Sequence, residues 1–303
     1  MAKSVVAFDL GEFDPKYTRV FMGDAYFEFS EITNLGTLEV ITGNATFRDS
    51  QVTDLGNLQT VGFGANFRFS EITDLGKLTT IGGNANFENS QITDLGNLTK
   101  IGGDAEFKDS KITNLGNLTT IEGGAYFSES KVTNLDKLTT IGGTAIFGYS
   151  KIKDLVNLTT IGGLADFRNS QVTNLGNLTT IKGDAYFRNS EVTDLGNLTT
   201  IGGIADFGNS QVENLGNLTT IKADAYFNRS KIKSLGNLTT ILGNADFSNS
   251  EVENLENLTT IGGYADFEGS KIKDLGNLTT IEGVAYFGDR TELQAEGEKR
   301  KNK

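Results

Sequence analysis

The stretch Ile101-Gly-Gly-Asp-Ala-Glu-Phe-Lys-Asp-Ser110, continued by Lys111-Ile-Thr-Asn-Leu-Gly-Asn-Leu-Thr-Thr120, decides the fold, because at Ile121 the same pattern begins again. The twenty-residue frame runs from Phe21 to Gly288 without insertion or deletion, in about 14 passes. Such a period marks stacked repeats, in which each unit buries its apolar face only against its neighbours. Ala105 and Phe107 stand two apart, as inward residues of a short strand do, with Asp104, Glu106 and Lys108 facing out. Ile112, Leu115, Leu118 and Ile121 follow at spacings too close for a long strand and too short for a helix. The expected fold is an all-β solenoid of about 14 coils of 20 residues, with short strands in parallel sheets and little or no helix.

Three segments follow from the frame. Residues 1–20 do not fit it, and their apolar residues Val5, Val6, Phe8, Leu10, Phe13, Tyr17 and Val20 read as an N-terminal cap over the open end of the first coil. Residues 21–288 form the repeat. Residues 289–303 are polar and charged, with Leu293 as the one large apolar residue, and read as a disordered tail that leaves the last coil uncapped. Self-association through that end is a corollary. Phe29, Phe63 and Phe69, at outward or turn positions near the N-terminus, read as docking the cap, with an apolar binding spot as the alternative.

Composition narrows the function. With no cysteine and no histidine, disulfides, thiolate chemistry, histidine metal sites and histidine acid-base catalysis are excluded. The chain holds 37 glycines and one proline, Pro15, as a chain of many sharp turns and hydrogen-bonded strands requires. An excess of 39 acidic over 27 basic residues, a net charge of −12, disfavours nucleic acid and anionic membranes and favours cationic partners. The opening residues show no secretory signal and no stretch approaches a membrane span, so the expected compartment is the cytoplasm, unless a leader has been removed.

The repeated positions read as architecture. The serine column from Ser30 to Ser270 is expected to satisfy backbone groups at a corner, and the Gly-Gly pairs such as Gly102-Gly103 to supply a turn at positive φ. Asp54, Asp74 and Asp94 read as Asx turns rather than a calcium ladder. Nine copies of Asn-Leu-Thr, such as Asn97-Leu98-Thr99, read as turn asparagines rather than glycosylation sites, since glycans on adjacent coils would collide. The Thr-Thr pairs suggest an ice-binding array; adjacent threonines of a strand face opposite sides, so a single exposed row is expected.

The pattern Ala105-x-Phe107-x-x-Ser110-x-Ile112-x-x-Leu115 resembles the leucine-rich repeat, and the tail Leu115-Gly-Asn-Leu118-Thr-Thr-Ile121-x-Gly resembles the repeats of receptor L domains and their bacterial relatives. The resemblance covers residues 21–288 and implies a right-handed solenoid whose function is binding. Serine replaces the usual asparagine, alanine the usual leucine, and twenty residues leave no room for a convex-side helix. Pentapeptide-repeat proteins, also of twenty residues per coil, are a second likeness, carried only by Ala165-Asp166-Phe167 and its counterparts.

In a stack of near-identical coils the variable outward positions carry recognition. The residue between alanine and phenylalanine runs Tyr126, Ile146, Asp166, Tyr186, Asp206, Tyr226, Asp246, Asp266, Tyr286, and the residue two before it includes Leu164, Asp184, Ile204, Asp224 and Tyr264. These rows of acids, tyrosines and aliphatics have the composition of a protein-binding face. The plainer reading is that tyrosine and isoleucine are good strand formers and that alternating aspartate with tyrosine avoids stacked like charges. The expected function is a non-enzymatic scaffold for a protein partner, with no cofactor and no metal. An acidic mimic of a polyanion that inhibits a nucleic-acid-binding protein, and an ice-binding solenoid, are the alternatives.

Overall fold

In a computed structural model that describes residues 6–301, with side chains to residue 297, the repeat folds as a parallel β-solenoid of about 13 turns of 20 residues. The chain divides into two compact units, Met1–Lys151 and Ile152–Lys303, each built of the same coil.

Every coil contributes two strands of two residues. One is the Thr-Ile strand, as Thr120–Ile121, and the other the Ala-x strand, as Ala125–Tyr126. Equivalent residues pair in parallel register twenty apart, Thr120 with Thr140 and Ala105 with Ala125 in the first unit, Thr200 with Thr220 and Ala205 with Ala225 in the second. Isolated bridges such as Asp74 with Asp94 form a third ladder. Parallel pairing without slippage follows from the constant coil length: a one-residue slip would turn every buried alanine out and every exposed neighbour in.

The core is a set of columns of identical side chains. Phenylalanine rings stack with centroids 4.9–5.7 Å apart from Phe27 to Phe147. In the second unit, from Phe167 to Phe287, the spacing is 4.7–5.7 Å. Each stacked pair adds about 0.5–1.5 kcal/mol beyond burial. Alanine, isoleucine or valine, and two leucines per coil complete the interior.

Corners are made by two left-handed residues per coil. At one, glycine dominates, as Gly96 (φ 54) and Gly196 (φ 57), preceded by an Asx turn in which Asp94 Oδ1 accepts the Gly96 N–H at 2.5 Å. Asp54 and Asp74 make the same turn at 2.7 Å, so this aspartate column is turn architecture. Turn asparagines of the Asn-Leu-Thr copies donate to the glycine carbonyl of the preceding coil, Asn117 to Gly96 at 3.0 Å and Asn217 to Gly196 at 3.2 Å.

Four expectations are corrected. The Gly-Gly pairs do not have positive φ; they answer to close approach, since a Cβ on Gly103 would stand 2.1 Å from Oδ1 of Asn84. The serine column does not satisfy backbone acceptors along its length. Ser30, Ser50 and Ser270 donate to a phenylalanine carbonyl, but the hydroxyls of Ser70 through Ser250 find no partner among the described residues. Identical hydroxyls one coil apart stand about 4.7–4.9 Å from each other, beyond hydrogen-bonding reach.

Phe29, Phe63 and Phe69 do not dock the cap: they are 92%, 62% and 41% exposed. Val6–Ala7 instead extends the Thr-Ile ladder by pairing with Val20–Phe21, and Phe13 sets its ring edge-on to Phe27 at 6.3 Å. Val5 lies outside the described residues. Residues 291–301, expected to be disordered, form the helix α1 (Thr291–Lys301). Leu293 is buried, Gly297 lets the helix approach the Phe287 ring, and Arg290, standing where other coils have serine, donates to the Ile272 carbonyl at 2.6 Å. The last coil is therefore covered over Phe287, while Ile281 and Ala285 stay partly exposed. No helix among the described residues is long and apolar enough to cross a membrane.

Candidate interaction surface

The two rows singled out from the sequence lie on the outer side of the Ala-x sheet. Leu164, Asp166, Asp184, Tyr186, Ile204, Asp206, Asp224, Tyr226, Asp246, Tyr264, Asp266 and Tyr286 share that face in the second unit, brought side by side by the parallel register. Tyr126 stands on the corresponding face of the first unit, between Glu106 and Ile146.

The acids have a structural task that the sequence did not disclose. In the first row, Asp184 Oδ1 accepts the Ile204 N–H at 2.8 Å and Asp224 Oδ1 the Asn244 N–H at 2.7 Å, each one coil later. Asn244 does the same for Tyr264 at 2.8 Å. Gly203 and Gly243 make room for this contact, since a Cβ on either would stand 2.1 or 2.3 Å from the carboxylate oxygen. In the second row, Asp166, Asp206, Asp246 and Asp266 accept the N–H two residues ahead at 2.8–2.9 Å. One oxygen of every aspartate on the face is thus committed to backbone.

The second oxygens organise the side chains. Tyr186 donates its hydroxyl to Asp184 Oδ2 at 3.0 Å, and Tyr226 donates to Asp224 Oδ2 at 3.2 Å. Arg168 forks onto Asp166 at 2.6–3.1 Å and lays its guanidinium 5.0 Å from the centre of the Tyr186 ring. Asp166 is the one aspartate of the rows that is buried. Arg188 donates to Asp206 at 3.1 Å. Asp246 and Asp266 lie directly opposite each other, an arrangement that like charges disfavour, between Tyr226 and Tyr286 in the same column.

Burial, then the hydrogen bond to Asp184, raises the Tyr186 hydroxyl above the ordinary tyrosine value; burial, then the Asp224 charge, does the same for Tyr226. Both therefore stay neutral donors through the physiological range. Tyr264 and Tyr286 are 40% and 45% exposed, and Leu242, 53% exposed one coil before Tyr264, was missed by the sequence reading. Its signal was a leucine in a turn position that elsewhere in the second unit holds glycine, lysine or glutamate.

The Thr-Ile sheet presents a different surface. Both threonines of each pair face outward, not one: in Leu118-Thr119-Thr120-Ile121 the leucine and isoleucine are buried, Thr119 is exposed and Thr120 half-exposed. The chain is still turning a corner at Thr119, so strict alternation begins only at Thr120. In the second unit the paired columns run unbroken from Thr159-Thr160 to Thr279-Thr280, with neighbouring hydroxyls 3.3–3.5 Å apart at Thr219, Thr239 and Thr259. The outer column donates to the carbonyl one coil earlier, as Thr219 to Thr199 at 3.0 Å. In the first unit the columns are interrupted at Glu39, Val40, Gln59 and Lys100.

Comparison with protein-family models finds no match, and comparison with curated protein sequences finds none.

Proposed function

We propose that the protein is a non-enzymatic interaction module and that the Ala-x face of its second unit takes a protein segment carrying basic and apolar groups. The observation that carries this reading is the pair of pre-fixed tyrosines. Tyr186 and Tyr226, two coils apart, are each tied to a carboxylate whose other oxygen is held by backbone. Large side chains already held in place lose little freedom on binding. Leu164 and Ile204 add half-buried apolar area beside them, and the facing carboxylates of Asp246 and Asp266 favour a cation.

A leucine-rich-repeat type of coil is part of the same proposal. It is supported by the burial of every inward position of that frame, Ala105, Phe107, Ser110, Ile112 and Leu115, and in such repeats the outward strand residues bind. Mimicry of a polyanion has less support. Arg168 and Arg188 neutralise two of the acids, and Lys233, Lys271 and Lys273 pair with Glu213, Glu251 and Glu253 one coil away.

Calorimetric titration of a peptide rich in lysine and leucine tests the face. The wild type is expected to bind at least tenfold more tightly than the Tyr186→Ala/Tyr226→Ala variant, with modest salt dependence. Equal binding by the two proteins would remove the face from consideration, and steep loss of binding with salt in both would favour mimicry.

The threonine columns support a second reading, an ice-binding surface, through one observation: an uninterrupted double array of hydroxyl and methyl groups repeats at the coil spacing in the second unit. Thermal hysteresis of the purified protein tests it. A freezing-point gap that disappears in Thr199→Lys/Thr219→Lys would support it, and absence of any gap in the wild type would end it.

A further inference from the structure

Backbone accounting along the Ala-x sheet leaves two complementary ends. In each coil the N–H groups of the alanine and the phenylalanine donate to the carbonyls of the residues that directly precede the equivalent alanine and phenylalanine of the next coil. Ala265 donates to Val284 at 3.0 Å and Phe267 to Tyr286 at 2.8 Å. Repeating this rule at the last coil leaves the N–H groups of Ala285 and Phe287 with no acceptor among the described residues. At the first coil the same rule leaves the carbonyls of Asp24 and Tyr26 with no donor among them.

The two sheets are treated differently at the N-terminal end. The Thr-Ile ladder is extended by Val6–Ala7, whereas Ala25–Tyr26 is the outermost strand of its own ladder. At the other end α1 covers Phe287 but not the outer row: Val284 is 68% exposed and Tyr286 45%. Tyr26 is 60% exposed. Edge strands are ordinarily protected by lysine, proline, a bulge or a covering segment. These two edges carry aromatic and aliphatic residues instead.

We infer that the open edge at Ala285–Tyr286 is an interaction surface for a second copy of this chain, which presents its own Ala25–Tyr26 edge. The donors of one edge meet the acceptors of the other in the register already used between coils, Ala285 N–H to Asp24 carbonyl and Phe287 N–H to Tyr26 carbonyl. The outward side chains Tyr286 and Tyr26 become neighbours. The contact is heterologous: each copy keeps one edge of each kind, so association continues beyond a dimer. With strands of two residues the contact area is small and the assembly is weak and dependent on concentration. This inference does not depend on the function of the Ala-x face.

Sedimentation velocity over a concentration series at low salt reads it out. The wild type is expected to show a rising weight-average mass. The inferred contact sets Tyr26 of one copy against Tyr286 of the next, so Tyr26→Lys/Tyr286→Lys places like charges opposite one another and is expected to weaken association at least tenfold. Tyr26→Glu/Tyr286→Lys places opposite charges there and is expected to restore association to within about threefold of the wild type. Both positions point outward, and unchanged circular dichroism and thermal unfolding at low concentration verify that the coils are intact. A wild type that remains monomeric overturns the inference. So does a lysine pair with no effect, and so does a glutamate-lysine pair that fails to restore what the lysine pair removed.

Discussion

The second unit carries two sheets of the same length and register whose outer faces behave in opposite ways. On the Ala-x face the side chains change from coil to coil, yet every aspartate there has one oxygen committed to a backbone N–H. On the Thr-Ile face the side chains do not change, yet both threonines of a pair reach the surface. Variation therefore does not mark a position as free of structural duty, and repetition does not mark it as buried. The variable rows obey a coupling: an aspartate in the first row occurs with a glycine one coil later, at the one residue whose Cβ would displace it, as Asp184 with Gly203 and Asp224 with Gly243. The coupling runs one way: glycine also follows Leu164 and Tyr264, as Gly183 and Gly283, where a Cβ would meet the backbone of the preceding coil, and after Ile204 the corresponding residue is Ala223.

The sharpest test of this difference is Gly203→Ala. A Cβ 2.1 Å from Asp184 Oδ1 cannot be tolerated without moving the carboxylate off the Ile204 N–H. Overpacking and the lost hydrogen bond together are expected to cost about 2–4 kcal/mol in urea unfolding. A cost below 0.5 kcal/mol, on the order of an ordinary surface change, would show that the coupling is incidental. Asp184→Ala keeps the space and removes only the acceptor, and is expected to cost about 1–2 kcal/mol. Thr219→Val removes the bond to the Thr199 carbonyl from the other face at nearly constant volume; that bond is exposed, and the expected cost is below about 1 kcal/mol. If Thr219→Val proves the costlier change, the two faces have been assigned the wrong way round.

How much of this was legible follows from what a period can encode. Coil length, parallel register and the inward columns of alanine, phenylalanine, isoleucine and leucine are consequences of twenty-residue identity, and each inward pairing cited joins residues of the same type. The outward location of Tyr186, Asp206 and Tyr226 followed from strand alternation in the same way. What did not follow were contacts between different positions of adjacent coils. Asp184 reaches Ile204, and Gly203 accommodates it, across a gap of nearly one full coil that no alternation rule describes. The outward turn of Thr119 was lost because the strand rule was applied one residue before the strand begins. The helix Thr291–Lys301 was lost because a lone leucine, Leu293, gives no period, and its docking depends on Arg290 reaching back to Ile272 and Ser270.

The two faces also differ in how they answer to pH, and this gives the smallest but most local effect. The Thr-Ile face of the second unit has no titrating group in its two columns, whereas the Ala-x face holds Tyr186 and Tyr226, whose hydroxyls are raised above the ordinary value of 10.0. A group whose folded value is raised contributes stability that is present in full below its unfolded value and is lost as pH rises through the folded one. Unfolding followed above pH 10 is therefore expected to show a loss of stability that shrinks in Tyr186→Phe and is unchanged in Thr219→Val. Ring-carbon NMR of labelled tyrosine should place the ionisation of Tyr186 above that of free tyrosine. Asp184→Asn should bring it only part of the way back, because burial is the larger cause and remains. Full return to the free value in that variant would mean that the hydrogen bond alone fixes the ring, and that the tyrosines of this face are less enclosed than their packing between adjacent coils implies.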